Sequence, residues 1–249
     1  MNSDSKSNVI TDSPIDIEIW KFSLSGNPAE PHFHLAELVE EERSRIDQGI
    51  FPELGERSFR SRLGLRRILA NYLDCSPAEV PLMIEGHGKP ILNGEASLQF
   101  NLSHCGEYAI LAVSKQTPLG IDLERIRKES PIDDLAQRCF SIEEQEGWSK
   151  TEKEKRRTSF FHLWVQKEAM VKAHGAGMTL PLRHFSGEPN AEILEGPIKS
   201  ELPEIGENKW RYIADTEGHD MRSAIVFCGS KARIVTRDPE EVNLSRWSL

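Results

Sequence analysis

Nothing in this 249-residue chain has the length of a membrane span: no apolar run approaches the roughly 18 residues a bilayer crossing needs. The first residues, Met1–Asn8, carry no apolar core of a secretory signal, so the chain is expected in the cytoplasm. Cysteine is sparse. Cys75, Cys105, Cys139 and Cys228 are scattered with no C-x-x-C pair, and they read as reduced thiols. An excess of positive charge is also missing. Thirty-one Lys and Arg against forty Asp and Glu leave −9, which argues against broad binding to nucleic acid or membrane surfaces, both anionic. A local basic pocket stays open. There is no internal repeat and no low-complexity segment. What remains, 38% hydrophobic and 29% charged residues, is the composition of a soluble globular protein long enough to bury a substantial core.

The pattern along the chain alternates strands and helices. Ile15–Trp20 alternates apolar and acidic residues, a strand signal. A charged helical stretch is expected around Leu35–Ile46. In Arg57–Leu73, Leu65, Ile68, Leu69 and Tyr72 sit at helical offsets, so an arginine-rich helix is expected there. Gly86–Pro90 has loop composition. Ser97–Ser103 alternates, with Leu98, Phe100 and Leu102 toward a core, and Tyr108–Val113 reads as a buried strand. Leu119–Leu123 alternates again. Ser141-Ile142-Glu143-Glu144 fits a capping box, and Lys150–Arg157 reads as a solvated charge run. A long helix over Arg156–His174 should stop at Gly175. Trp210–Ala214, Ser223–Phe227 and Ala232–Thr236 are strand-like. Strand–helix–strand order in both halves indicates an α+β fold, with a join near Pro118.

Within this frame, Leu119-Gly120-Ile121-Asp122-Leu123-Glu124 sets two carboxylates two residues apart. Residues i and i+2 of a strand share a face, so Asp122 and Glu124 point the same way. Gly120 shares that face and is expected to leave room for a ligand. Two acids side by side repel unless a cation or donor lies between them, and Mg2+ takes carboxylates, waters and phosphates together. On the helical wheel of Arg156–His174, Glu168 and Lys172 fall inside a broad apolar arc, as does Lys167, with His162, Gln166 and Ala169 opposite. Charges in an apolar arc are paired or metal-bound. A partly buried Glu–Lys salt bridge is the competing reading.

Basic and polar candidates come from the first half. Arg62 and Arg66, one turn apart, share a face and match phosphate with their donor forks. Lys89, between Gly88 and Pro90, could be held toward an anion. Ser103 and His104 end an alternating strand, where both could donate to phosphate oxygens. A His104–Cys105 nucleophile pair is disfavoured, because adjacent residues of an extended chain point to opposite sides.

Taken in order, Gly88-Lys89-Pro90, Asn101-Leu102-Ser103-His104, Gly120-Ile121-Asp122-Leu123-Glu124 and Trp164-x-x-Lys167-Glu168-Ala169-x-x-Lys172-x-x-Gly175-x-Gly177 resemble the 4'-phosphopantetheinyl transferases of the longer, Sfp-type form. The likeness runs from about Arg62 to Leu182, and Cys105 departs from the small hydroxyl residue expected at its position. The resemblance implies two pseudosymmetric α+β subdomains, residues 1–117 and 118–249, each a small sheet packed on a long helix. It implies coenzyme A and Mg2+ between them. Asp122, Glu124 and Glu168 match the metal ligands. Glu168 matches the proposed general base, and Lys172 a lysine on the pyrophosphate. Arg62, Lys89, Pro90, Asn101, Ser103, His104, Asp122 and Lys172 fall on coenzyme-binding positions, while Arg43 and Arg45 are candidate N-terminal contacts. The implied partners are apo acyl, peptidyl or aryl carrier proteins, the implied activity is that of a holo-[acyl-carrier-protein] synthase, and the doubled length suggests a monomer. A coenzyme A-binding protein without turnover and a Mg2+-dependent pyrophosphohydrolase are the alternatives.

Overall fold

The computed structural model describes residues 13–26, 34–47, 52–85, 89–94, 98–200, 202–203, 205 and 209–246. Its strands are β1 (Ile15–Ser23), β2 (Leu82–Glu85), β3 (Lys89–Leu92), β4 (Gln99–Cys105), β5 (Tyr108–Ser114), β6 (Leu119–Arg125), β7 (Phe185–Ser186), β8 (Glu195–Pro197), β9 (Lys199–Ser200), β10 (Trp210–Glu217), β11 (Met221–Cys228) and β12 (Ala232–Arg237). Its α-helices are α1 (Glu40–Asp47), α2 (Pro52–Leu73), α3 (Ile132–Cys139), α4 (Ile142–Ser149) and α5 (Arg156–His174). Two four-stranded sheets form, in the orders β12-β1-β5-β4 and β6-β11-β10-β8, with two-stranded ribbons β2-β3 and β7-β9 beside them. The α+β class expected from the residue pattern is the class observed.

Period-two alternation decides how the layers stack. On β1, Trp20 and Phe22 face one way and join Leu65, Ile68 and Leu69 of α2, whose i, i+3, i+4 spacing forms a single stripe. Ile17 and Ile19 face the other way, into a core shared with Leu119, Ile121 and Leu123 of β6 and Ile225 and Phe227 of β11. The opposite face of β11, Ala224 and Val226, packs on Val165, Ala169 and Met170 of α5. The order is therefore α2, first sheet, second sheet, α5. A fourth cluster, including Phe140, Trp148, Phe160 and Phe161, seats α3 and α4 against the start of α5.

The two sheets are joined by side chains at β4 and β6. The Asn101 amide oxygen accepts from the Ile121 N–H (2.8 Å), and Ser103 Oγ accepts from the Leu123 N–H (3.2 Å). Both side chains are buried. They stand where a neighbouring strand's carbonyls would satisfy β6, and buried N–H groups must find such acceptors.

Several expectations change here. The last strand, β12, lies far along the chain yet pairs in parallel with β1, Ile17 opposite Ile234, and Val242 and Leu244 enter the first core. A split of the chain at Pro118 thus leaves its final segment on the N-terminal sheet. Lys89 and Pro90 open strand β3 rather than sit in a loop, while Gly86, His87 and Gly88 lie outside the described residues, as do the N-terminal tail and Ser97. The stretch from Leu35 is a short 3-10 turn followed by α1. His162, Gln166 and Ala169, opposite the apolar arc of α5 on the wheel, are fully buried. The wheel ranks hydropathy, whereas helix–sheet packing covers α5 nearly all round.

Candidate active site

β6 and α5 bring the acids and the lysine together. Ile121 and Leu123 occupy the inter-sheet core, so alternation turns Asp122 and Glu124 toward α5. Gly120 shares that face, but the space beside it is not a ligand's. A Cβ there would overlap the Ala169 carbonyl oxygen and the Ala173 amide nitrogen, and lie 2.9 Å from the Lys172 carbonyl carbon. The glycine lets the backbone of α5 touch β6, and that contact carries Lys172 to Asp122. At its far end α5 stops because Gly175 takes a left-handed φ of 84°, which costs a glycine little.

Lys172 is bonded three ways: to Asp122 Oδ1 (2.7 Å), Ser103 Oγ (3.0 Å) and the Ile121 carbonyl (3.2 Å). An ammonium has three N–H donors, so all are engaged. Ser103 also donates to Asp122 Oδ1 at 3.1 Å. The competing reading, a Glu168–Lys172 salt bridge, gives way to an Asp122–Lys172 pair, and Ser103 hydrogen-bonds both of its members. Asp122 Oδ2 is buried with no hydrogen-bond partner.

Glu168 is half-buried on α5, one turn before Lys172. Burial, and then the Asp122 charge, push its carboxyl above the usual range, with Lys172 pulling back and Glu124 adding to the rise. Glu124 is raised by burial and by Asp122, against Arg127, which pairs with it at 2.9 Å. Trp164 is also against Glu124 and stacks on Phe160 at 5.8 Å. Trp164, Glu168 and Lys172, spaced i, i+4 and i+8, form the half-buried stripe of a helix otherwise buried from Ser159 to Ala173. Trp164 stands in the motif read from the sequence but is given no role there; its four-residue offset from Glu168 is the signal that puts it on this stripe.

Three mutually repelling carboxylates and one unpartnered carboxylate oxygen form a donor set suited to a hard divalent cation. Among the described residues, no three His, Cys, Asp or Glu side chains are gathered closely enough to hold a metal by themselves. Mg2+ does not require that, because it usually keeps waters and uses one or two carboxylates with substrate phosphates. The residues fit the ion.

Of the other candidates, Lys89 donates to the Lys172 carbonyl at 2.7 Å. With Pro90, Asn101, Lys172, Gly175 and Gly177 it lines a cavity of about 240 Å³. His104, on the outward side of β4, has its proton affinity lowered by burial and by the Lys172 charge. Arg62 and Arg66 do share a face of α2, and both use it on Glu42, at 3.4 and 2.6 Å. Arg66 is 1% exposed and also donates to the Pro77 carbonyl, so its guanidinium ties α2 to the following turn. Arg43 donates to the Leu38 carbonyl, and the Arg45 side chain lies outside the described residues. Lys167 is not in the cleft: it is buried against Glu144 at 2.6 Å.

Residues 118–226 match the 4'-phosphopantetheinyl transferase superfamily, and residues 25–116 match the family described as 4'-phosphopantetheinyl transferase, N-terminal. The chain is 36% identical over 166 residues to the 4'-phosphopantetheinyl transferase HetI of Nostoc sp., covering 66% of this chain and 70% of that protein. It is 31% identical over 180 residues to the 4'-phosphopantetheinyl transferase Sfp of Bacillus subtilis, covering 67% and 77%. A Synechocystis sp. protein provisionally named for the same activity is 31% identical over 227 residues, covering 88% and 89%.

Proposed function

The chain belongs to the 4'-phosphopantetheinyl transferase superfamily, and from that premise we propose that it moves the 4'-phosphopantetheine group of coenzyme A onto a serine of an apo carrier protein. The serine oxygen attacks the β-phosphorus of coenzyme A, the bond from that phosphorus to the bridging oxygen breaks, and 3',5'-ADP leaves. The observation that carries this reading is Asp122: one oxygen is held by Lys172 and the other is buried without a partner, on the strand face that Glu124 shares and beside Glu168.

Asp122, Glu124 and Glu168 are the residues that would hold Mg2+. When bound, the ion would neutralise charge on the pyrophosphate and polarise it. Lys172 supplies a second cation on the same side, and preorganised charge of this kind is commonly the largest contribution in phosphoryl transfer. Glu168 takes the serine proton, directly or through a water, and general-base help is typically worth about 10²–10⁴-fold. Lys89, Pro90 and Asn101 border the cavity next to Lys172 and fit the coenzyme's path. Ser103, His104 and Arg62 are the remaining coenzyme contacts in this reading.

The test is direct. The protein is incubated with coenzyme A, Mg2+ and a panel of apo acyl, peptidyl and aryl carrier proteins, and mass spectrometry looks for one added phosphopantetheine. Transfer that stops on Mg2+ removal and in folded Asp122→Ala supports the site. No added mass on any carrier overturns the reading. The panel also decides whether holo-[acyl-carrier-protein] synthase activity is the main one. Release of 3',5'-ADP without a carrier, at the rate of transfer, would favour a pyrophosphohydrolase instead.

A further inference from the structure

α5 must present one narrow stripe to the cleft, and its neighbours hold it from the other sides. With about 100° per residue, and Glu168 set at 0°, Trp164 and Lys172 lie near −40° and +40°. Ala169 and Ala173, against Gly120 of β6, lie near 100° and 140°. Gln166, near 160°, accepts from the Glu188 N–H (2.9 Å) and donates to the Glu188 carbonyl (3.0 Å). The remaining flank, near −100°, belongs to Lys167.

The contacts of Lys167 are unusual for a lysine. The residue is 1% exposed, and its ammonium donates to Glu144 Oε2 (2.6 Å), Glu144 Oε1 (2.8 Å) and the Phe185 carbonyl (2.8 Å), 4.4 Å from the centre of the Phe185 ring. Glu144, also 1% exposed, accepts in addition from the Ser141 N–H (2.7 Å) and the Gly187 N–H (2.8 Å). Every donor and acceptor points at a fixed backbone or at the partner charge. One ion pair therefore bolts α5 to the start of α4 and to the 185–187 segment. Burying two charges is a poor way to gain stability alone, since an apolar pair of similar size often does as well.

We propose that the Glu144–Lys167 pair is a positioning element that fixes the roll of α5 and so aims Glu168 and Lys172 into the cleft. The proposal rests on the transferase reading. A helix side chain reaches about 5–6 Å from the axis, so a roll of about 10° displaces its head by about 1 Å. Displacement on that scale can cost about 10²-fold in rate. The pair is buried and bonds to none of Asp122, Glu124, Glu168 or Lys172, so binding should be spared while turnover suffers.

The test uses Glu144→Gln/Lys167→Met in the full chain, assayed with coenzyme A, Mg2+ and an accepted carrier protein. Removing both charges avoids stranding either one, and the introduced glutamine keeps an acceptor for one of the two N–H groups. The expected result is a thermal midpoint within a few degrees of wild type, a kcat about 10–100-fold lower, and a KM for coenzyme A within about twofold. A folded double variant with wild-type kcat overturns the proposal, because the pair is then only structural. If that variant does not fold, Lys167→Arg decides. It keeps the buried cation but lengthens the bolt, so kcat should fall at least about fivefold with KM unchanged; unchanged kcat overturns the proposal. Absence of transfer by the wild-type chain overturns the transferase reading itself, and this inference with it.

Discussion

Gly120→Ala is the smallest change that tests how the site is assembled. The added methyl would meet three backbone atoms of α5, at Ala169, Lys172 and Ala173. All three lie inside 3.0 Å, whereas ordinary contact begins near 3.4 Å, and none belongs to a side chain that can swing away. β6 and α5 must therefore separate by about 1 Å. Overpacking of this kind costs about 1–3 kcal/mol. For a chain of this size each kcal/mol moves the thermal midpoint by about 2–4 °C, so a fall of about 2–12 °C is expected. The same separation pulls Lys172 from Asp122, now 2.7 Å apart, and transfer should fall by at least about tenfold in the protein that remains folded. Urea and thermal denaturation measure the first effect, and carrier-protein mass spectrometry below the melting transition measures the second. A variant with wild-type midpoint and wild-type turnover would refute the claim that the glycine exists for helix–strand contact.

Two further outcomes follow from buried polar groups. His162 is fully buried, neither ring nitrogen has a hydrogen-bond partner, and burial followed by the nearby Arg222 charge lowers its pKa from 6.5 to about 4. The unfolded chain thus binds a proton below about pH 6.5 that the folded chain refuses until about pH 4. Stability should fall by about 3 kcal/mol as the pH drops through that window, and His162→Leu should flatten this limb in urea titrations; an unchanged limb would assign it to other groups. Asn101→Ala removes the acceptor of the buried Ile121 N–H and should destabilise by about 1–3 kcal/mol with the urea m-value unchanged, whereas a loss below about 0.3 kcal/mol would mean that water replaces the amide.

Local chemistry makes much of this legible from the chain. Period-two alternation in Leu119–Glu124 yields the shared face of Asp122 and Glu124, because a strand's side chains alternate whatever its neighbours are. The Ser141 capping box and the Gly175 stop are equally local, and both are observed. Three features depend on distant partners. Gly120 reads as space for a ligand and is filled by a helix backbone from 49 or more positions further along the chain. Arg66 looks like a phosphate contact and instead shares Glu42 with Arg62, in a helix whose charged face turns inward on α1. β12 pairs with β1 across more than 200 residues, and no periodicity carries that register.

The sequence by itself determined the α+β class, the elements that carry the chemistry and the family, because spacing, alternation and motif order are properties of the chain alone. The tertiary structure decided which charges meet. Lys172 chose Asp122 over Glu168, and Lys167 left the cleft for Glu144, because burial forces each ammonium to the nearest acceptor that packing supplies, whatever its distance along the chain.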